Sequence, residues 1–501
     1  MSASNHVGDD ELDDNLLDAE EVGEVVVNGI DQDGHDEDHE MDSDDDEELE
    51  LQNDSIAYFD LPQDSLFTVA QHPVWGSLVA VGGSAGQEDE APGAGWIFDI
   101  SGAPSRPVLP PSYASGPVTD PQTSRLDSLF SIEGHTDSIT NLTWTLPRGE
   151  VLISAGLDGR VKAWKTDVQP PIGIKVTPFG EAQEVDEVNW VAPCPSPSHP
   201  NTIALGAKDG SVWVYTIDPS DPSNALQIVQ SYFLHGGPCT AGAWTHDGQL
   251  LATVSEDGSL YVWDVWGAAA AQGLTNDNGM TIVALTAEDQ RFEVLGGLYS
   301  IAIDPRDTFL AVGGGDGSIK VVSLPRLGNA APARSNGRSG RGGRSGADPT
   351  AGGQILASLQ NHTDSVETLS ISVASTSPLT VLLAAGSVDG GITVFDATRS
   401  FSIRKHLIAV HNDYPVVKVE FIPNTWVLTS CGMDGVVRRW DIRASGTTDS
   451  SNSGNNGLLR EWKGHRGDGD GGGVLDFVQG GTGQRVVTAG DDGISLVFES
   501  E

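Results

Sequence analysis

A seven-residue pattern recurs down most of this chain: Asp-Gly, then an alternating apolar run that usually closes on an aromatic. It reads DGRVKAW from Asp158 to Trp164, DGSVWVY from Asp209 to Tyr215, DGSLYVW from Asp257 to Trp263 and DGSIKVV from Asp316. Further copies are DGGITVF from Asp389 to Phe395, DGVVRRW from Asp434 to Trp440 and DGISLVF from Asp492 to Phe498. Asp-Gly between two apolar runs is a hairpin turn, because glycine takes a positive φ without a Cβ penalty. Short units repeated this way bury their faces against one another. A length of 501 residues would suggest two or three domains, but a closed array of such units counts as one.

One unit, Gly134 to Trp164, shows the pattern in full. Ile139 and Leu142 open a first strand, Val151 to Ser154 form a second, Asp158-Gly159 turn, and Val161 to Trp164 form a third. The units resemble WD repeats, whose Gly-His, Ser/Thr, Asp and Trp make a hydrogen-bonded set inside each blade of a β-propeller. His135, Ser154, Asp158 and Trp164 match that set, as do His235, Thr253, Asp257 and Trp263. His411, Ser430, Asp434 and Trp440 match again, and His465, Thr488 and Asp492 match with Phe498 in the Trp place. Leu234 and Val410 stand where the glycine before His is expected. Asp209, Asp316 and Asp389 are assigned to the same framework. A His near a Ser and an Asp invites a catalytic-triad reading, but a set repeated blade after blade is there to satisfy buried polar groups. No catalytic residue and no enzyme activity are expected.

The fold class expected is all-β, a WD-repeat β-propeller. Seven Asp-Gly turns mean seven blades, and an eighth is suggested by Phe67–Val69, Leu78–Val81 and Trp96–Phe98. The chain ends on the third strand of its last blade, which would leave an open sheet edge. Ser55–Phe59, lying just before the first blade, is placed to supply the missing fourth strand. Residues 1–53 are assigned as a disordered acidic tail, with an apolar island from Val25 to Ile30, and residues 54–501 as the propeller. Flexible loops are expected at about 101–124, 325–353 and 444–457, from their Pro, Ser, Gly and Arg content.

The formal charge of −45 bears on partners. Residues 1–54 hold 23 acids and no Lys or Arg, and the remaining 49 acids still outnumber 27 bases. Such a field repels nucleic acid and anionic membranes and attracts basic proteins. The three cysteines, Cys194, Cys239 and Cys431, are far apart and lack C-x-x-C spacing, so neither disulfide framework nor zinc site is indicated. No metal or other cofactor is expected; the run from Asp468 lacks the terminal carboxylate of a calcium loop, with Gln479 in its place. Arg338, Arg341 and Arg344 form the one basic cluster, a short RGG-like loop without aromatics. With no signal sequence and no long apolar run, a soluble, intracellular monomer is expected.

Acidic residues flank the turns that should line one face. Asp137, Asp364 and Asp413 follow the histidines that open blades, Glu256 precedes Asp257, and Glu367 lies on the strand after Asp364. Glu184, Asp186 and Glu187 open the repeat that ends at Tyr215 and has lost its Gly-His. Together they predict an anionic bowl, with Trp190 as a stacking surface for Arg or Lys.

An acidic head, a degenerate first blade, eight blades and the EVDEVNW segment together resemble the angio-associated migratory cell protein family. Its fungal members act in large ribosomal subunit assembly. The resemblance implies a dedicated chaperone that captures the N-terminal region of a basic large-subunit ribosomal protein on its acidic face. It would meet the pre-ribosome indirectly and act in the cytoplasm, with a nuclear share left open. Two alternatives stay open: a cullin-RING ubiquitin ligase receptor, since Trp440–Arg443 fits WDxR, and a signalling scaffold.

Overall fold

The structure is a computed structural model that describes residues 52–86, 91–104, 124–169, 173–276, 279–327, 352–443, 446–447, 457–467 and 472–500. The acidic tail, the Val island, and Arg338, Arg341 and Arg344 lie outside these. Eight antiparallel sheets are present among the described residues. Blade 1 is Leu66–Gln71, Leu78–Ser84, Gly93–Asp99 and Ser128–Ile132. Blade 2 is Ile139–Trp144, Val151–Gly156, Val161–Gln169 and Gly173–Ala182; blade 3 is Val188–Pro193, Thr202–Ala207, Val212–Ile217 and Leu226–Tyr232. Blade 4 follows with Cys239–Trp244, Leu250–Ser255, Leu260–Asp264 and Thr281–Leu285, then blade 5 with Leu298–Ile303, Phe309–Gly314, Ser318–Ser323 and Ile355–Gln360. Blade 6 is Thr368–Thr376, Leu379–Gly386, Ile392–Asp396 and Ser402–Leu407; blade 7 is Val416–Phe421, Val427–Gly432, Val437–Asp441 and Leu458–Trp462. Blade 8 has Val474–Val478, Arg485–Gly490 and Ser495–Glu499.

The first strand of every blade contacts the first strands of the blades before and after it, and blade 8 contacts blade 1, so the innermost strands close a ring. Second strands pack against neighbours on both faces. They therefore read as nearly unbroken runs of apolar and small residues, and Val151–Gly156 and Phe309–Gly314 are buried throughout. Fourth strands sit outside and alternate, as Ile355–Gln360 does. The core is correspondingly divided into eight apolar layers, one in each gap between blades.

Blade 8 is completed from the other end of the chain. Ala57–Phe59 pairs antiparallel with the last strand, Ala57 opposite Val497 and Phe59 opposite Ser495. Ile56, Ala57 and Phe59 are buried between blades 8 and 1, and Phe59 stacks on Phe98 at 4.7 Å. Upstream, the Asp54 N–H donates to the Lys463 carbonyl (2.8 Å), and the Lys463 N–H donates to the Asp54 carboxylate (2.9 Å). Ser124–Arg125 adds a parallel strand beside Ala57–Tyr58, and Gly446–Thr447 does the same beside Lys405–His406. Each covers an otherwise open outer edge.

The framework set forms as expected in blade 2. His135 meets Asp158 through Nδ1 (3.1 Å) and Ser154 through Nε2 (2.8 Å), while Trp164 Nε1 donates to Ser154 Oγ (2.9 Å). A carboxylate partner requires the proton on Nδ1, so Nε2 accepts from the serine hydroxyl. Blades 7 and 8 repeat this with His411, Asp434, Ser430 and Trp440, and with His465, Asp492 and Thr488. Blade 4 departs from it. His235 reaches Ser259 Oγ (2.6 Å) rather than Asp257, and Ser259 in turn donates to Asp257. His362 in blade 6 bonds Asp389, but its Nε2 has no partner because Ala385 and Phe395 carry neither hydroxyl nor N–H. Asp209 and Asp316 have no histidine; each caps its own turn, at Ser211 and Ser318, and Asp316 also accepts from the Leu295 N–H (3.3 Å).

Three outcomes follow for stability. Removing residues 1–51 should leave the melting curve of the propeller unchanged, whereas removing residues through Phe59 should lower it sharply. Burial of each large apolar side chain is worth roughly 1.5–3 kcal/mol; equal thermal stability of the two truncations would refute closure by the two termini. Asp434→Ala should cost about 3 kcal/mol or more in denaturant unfolding, because it strands buried His411 and Arg438. A variant that unfolds like wild type would show that the set carries no structural load.

The third outcome concerns pH. Burial pulls the His235 imidazole down to about 4, so the unfolded chain binds the extra proton first as pH falls. Stability from this group is full above about pH 6.5 and is lost progressively down to about pH 4. His235→Gln should flatten that part of the stability–pH curve, and an unchanged slope would disprove the assignment.

Candidate functional site

In an antiparallel blade, the start of strand one, the end of strand two, the start of strand three and the end of strand four share one end. All lead-in loops and Asp-Gly turns therefore lie on a single face of the ring. In seven of the eight blades a β-bulge sits at the second residue of the first strand, at Phe67, Thr140, Asn189, Thr240, Tyr299, Val417 and Leu475. A bulge re-aims its side chain, here at the turn-face end of the inner strands.

The turn aspartates divide into two classes on this face. In blades 2, 6, 7 and 8 the carboxylate is taken up by a histidine, and the side chains of Asp158 and Asp492 are only 1% exposed. Burial disfavours the charge of Asp158 and Asp434, but hydrogen bonds from the histidines and neighbouring donors outweigh it and hold both below the usual carboxylate range. In blades 3, 4 and 5 no histidine reaches the aspartate. Asp209 and Asp257 are exposed and Asp316 is half-buried. Three framework positions thus present negative charge to solvent on consecutive blades.

The expected rim carboxylates join the same face. Glu184, Asp186, Glu256, Asp364, Glu367 and Asp413 are exposed. Glu256 and Glu367 flank Tyr299: burial, then these two charges, push its phenol up from the ordinary value. Carboxylates of blade 4 and of the loop into blade 6 thereby converge on a bulge residue of blade 5. Asp137 is half-buried and accepts from the Ser138 N–H (2.7 Å), and Glu187 is neutralised by Lys208. Glu367 lies one residue before its strand rather than on it.

Trp190 does not offer the stacking surface expected of it. It is 8% exposed and fills the layer between blades 3 and 4. A Cβ on Gly206 would meet its ring at 2.2 Å and one on Gly242 at 2.1 Å, so both neighbouring strands are pared down to glycine to admit the indole.

Exposed apolar side chains are interleaved with the carboxylates, a feature not anticipated. Phe233 and Leu234 lead into blade 4, Leu295 into blade 5, and Ile408 and Tyr414 into blade 7. The missing Gly-His before DGSVWVY and DGSIKVV was the available signal that this sector departs from pure framework. Arg443 of the WDxR motif lies past the third strand of blade 7, on the opposite face, with its guanidinium held by Asp441. The described surface therefore has an anionic, partly apolar sector over blades 3 to 6.

The family described as WD domain, G-beta repeat matches residues 126–165, 226–264, 294–323 and 353–396. Human angio-associated migratory cell protein is 23% identical over 454 residues, covering 90% of this chain and 81% of that protein. The *Saccharomyces cerevisiae* ribosome assembly protein SQT1 is 27% identical over 490 residues, 93% of this chain and 91% of that one. A match to an uncharacterised *Schizosaccharomyces pombe* WD-repeat protein, 28% identical, spans 55% of each chain. Among solved structures, *Chaetomium thermophilum* Sqt1 is 51% identical with a TM-score of 0.75, covering 90% of this chain and 98% of that chain. The same protein is known bound to the N-terminus of ribosomal protein L10, again at 51% identity and a TM-score of 0.75. With half its residues shared with Sqt1 across nearly the whole of both chains, this chain belongs to the Sqt1 family of WD-repeat proteins.

Proposed function

We propose that this protein is a dedicated chaperone in large ribosomal subunit assembly, binding the basic N-terminal segment of its own L10 on the turn face over blades 3 to 6. The observation that carries the reading is the run of blades 3, 4 and 5 whose turn aspartates are left without histidine, beside Glu184, Asp186, Glu256, Asp364 and Glu367. It is supported by the 51% identical Sqt1 seen with the L10 N-terminus. A free ribosomal protein segment rich in Lys and Arg binds RNA indiscriminately. A fixed anionic face neutralises that charge until rRNA, a denser polyanion, displaces it. The protein acts by binding and without catalysis: the His–Asp–Ser sets that resemble a triad are framework. We place it in the cytoplasm, where the client emerges from the ribosome.

Charge reversal tests the mechanism. Asp186→Lys combined with Glu256→Lys should weaken binding of an L10 N-terminal peptide at least tenfold by calorimetry, about 1.4 kcal/mol. Melting should be unchanged, since exposed charges contribute little to stability. Affinity should fall as salt rises, the Debye length being about 10 Å at 0.1 M. Removing residues 1–53 should affect mainly the association rate. Salt-insensitive binding, or full affinity in the double variant, would overturn the anionic-face mechanism.

A further inference from the structure

Blade 3 carries an aromatic corner that the repeat framework leaves idle. In blades 2, 4 and 7 the tryptophan of the third strand, Trp164, Trp263 or Trp440, gives its indole N–H to a buried hydroxyl of the second strand. Blade 3 has Tyr215 at that place, and its indole lies two residues earlier, at Trp213, nearer the turn face. Trp213 Nε1 donates to Ser211 Oγ (2.9 Å), and Ser211 Oγ donates to Asp209 Oδ1 (2.6 Å). One serine thus fixes a half-buried aromatic ring and an exposed carboxylate relative to each other. Phe233, 64% exposed, stands edge-on to Trp213 with centroids 5.6 Å apart and planes at 89°. Glu184, in the loop leading into the blade, is close enough to the Tyr215 hydroxyl to help burial push that phenol up.

We infer that this corner is a socket for one arginine of the client, an inference that rests on the function proposed above. A guanidinium stacks on an aromatic face while its N–H fork engages a carboxylate; an ammonium has the charge but neither the plane nor the fork. Asp209 supplies the carboxylate and Phe233 with Trp213 the aromatic wall, in the fixed relation the serine imposes. Exposed rim carboxylates respond mainly to total charge and separate arginine from lysine only weakly. The socket adds that discrimination, and it takes the stacking role for which Trp190 is too deeply buried.

The test uses the full-length protein and two synthetic peptides: the N-terminal segment of its own L10, and the same segment with every arginine replaced by lysine. Calorimetry should show the wild type favouring the arginine peptide by about tenfold. Phe233→Ala should remove most of that preference and leave the lysine peptide nearly unaffected. Phe233→Tyr should retain the preference, and Phe233→Leu, which keeps apolar volume without a π face, should lose it. The Leu variant reads the socket even where the Ala variant melts early. An arginine-to-lysine ratio unchanged in Phe233→Leu, or no preference in the wild type, would overturn the socket. The Asp186→Lys, Glu256→Lys protein separates this from the parent reading: it should lose both peptides, and if it keeps both, the anionic face itself fails.

Discussion

Everything on the functional face depends on a ring that the chain closes with its two ends. Ala57–Phe59 pairs with Ser495–Glu499, more than 400 residues away in sequence, and the contacts of the innermost strands then run unbroken from blade 8 to blade 1. Closure fixes the angle between neighbouring blades, because each of the eight apolar layers is shared by two sheets. It also holds side chains from different blades in constant relation. Tyr299 of blade 5 feels the charges of both Glu256 and Glu367, which come from blade 4 and from the loop into blade 6. A binding face assembled from short loops acquires its rigidity from the sheets beneath it.

Each blade must also satisfy the polar groups of its own turn, and the same residue type meets two needs on this face. Where a histidine bridges the turn aspartate to a hydroxyl of strand two, the charge is absorbed inside the protein. Where the histidine is missing or diverted, as in blades 3, 5 and 4, the aspartate caps its turn and faces solvent. Loss of the buried network in one sector therefore creates the anionic surface of that sector. Blades 2, 7 and 8 keep the full bridge, and the apolar gaps on either side of blades 3 to 5 remain filled. Blade 7 goes furthest in the opposite direction: beside the buried His411, Arg438 adds a cationic partner to Asp434 and also reaches Glu461. Near it, Lys418 lies between Asp476 and Glu420, whose charges outweigh its desolvation and hold its ammonium above the ordinary value.

The turn face also carries apolar groups whose placement suits a client that is more than a string of charges. Phe233, Leu234 and Leu295 lie in the lead-in loops of the same sector that exposes Asp209 and Asp257. Carboxylates give such a face long reach and salt sensitivity, whereas contact with an aromatic face acts only at close range and depends little on salt. A basic segment would be drawn in by the first and held in register by the second.

Much of this was legible in the residues themselves. The Asp-Gly turns, the alternating runs after them and the His-to-aromatic spacing specify blades, since strand periodicity and turn chemistry are local properties. The missing fourth strand of the last blade even pointed to Ser55–Phe59 as its completion. Local pattern does not say which of two similar side chains ends up inside. Trp190 and Trp213 both lie on strands of blade 3, next to acidic residues. One is enclosed between blades by two facing glycines, and the other reaches the turn face beside Phe233. Likewise Asp158 and Asp257 both follow a histidine in their own blades, yet one is sealed by His135 and the other is exposed because His235 turns to Ser259. Sequence by itself determined the fold class, because a repeat states its local hydrogen bonding many times over. Only the tertiary structure decided which acids and aromatics face a partner, because burial is set by contacts between blades distant along the chain.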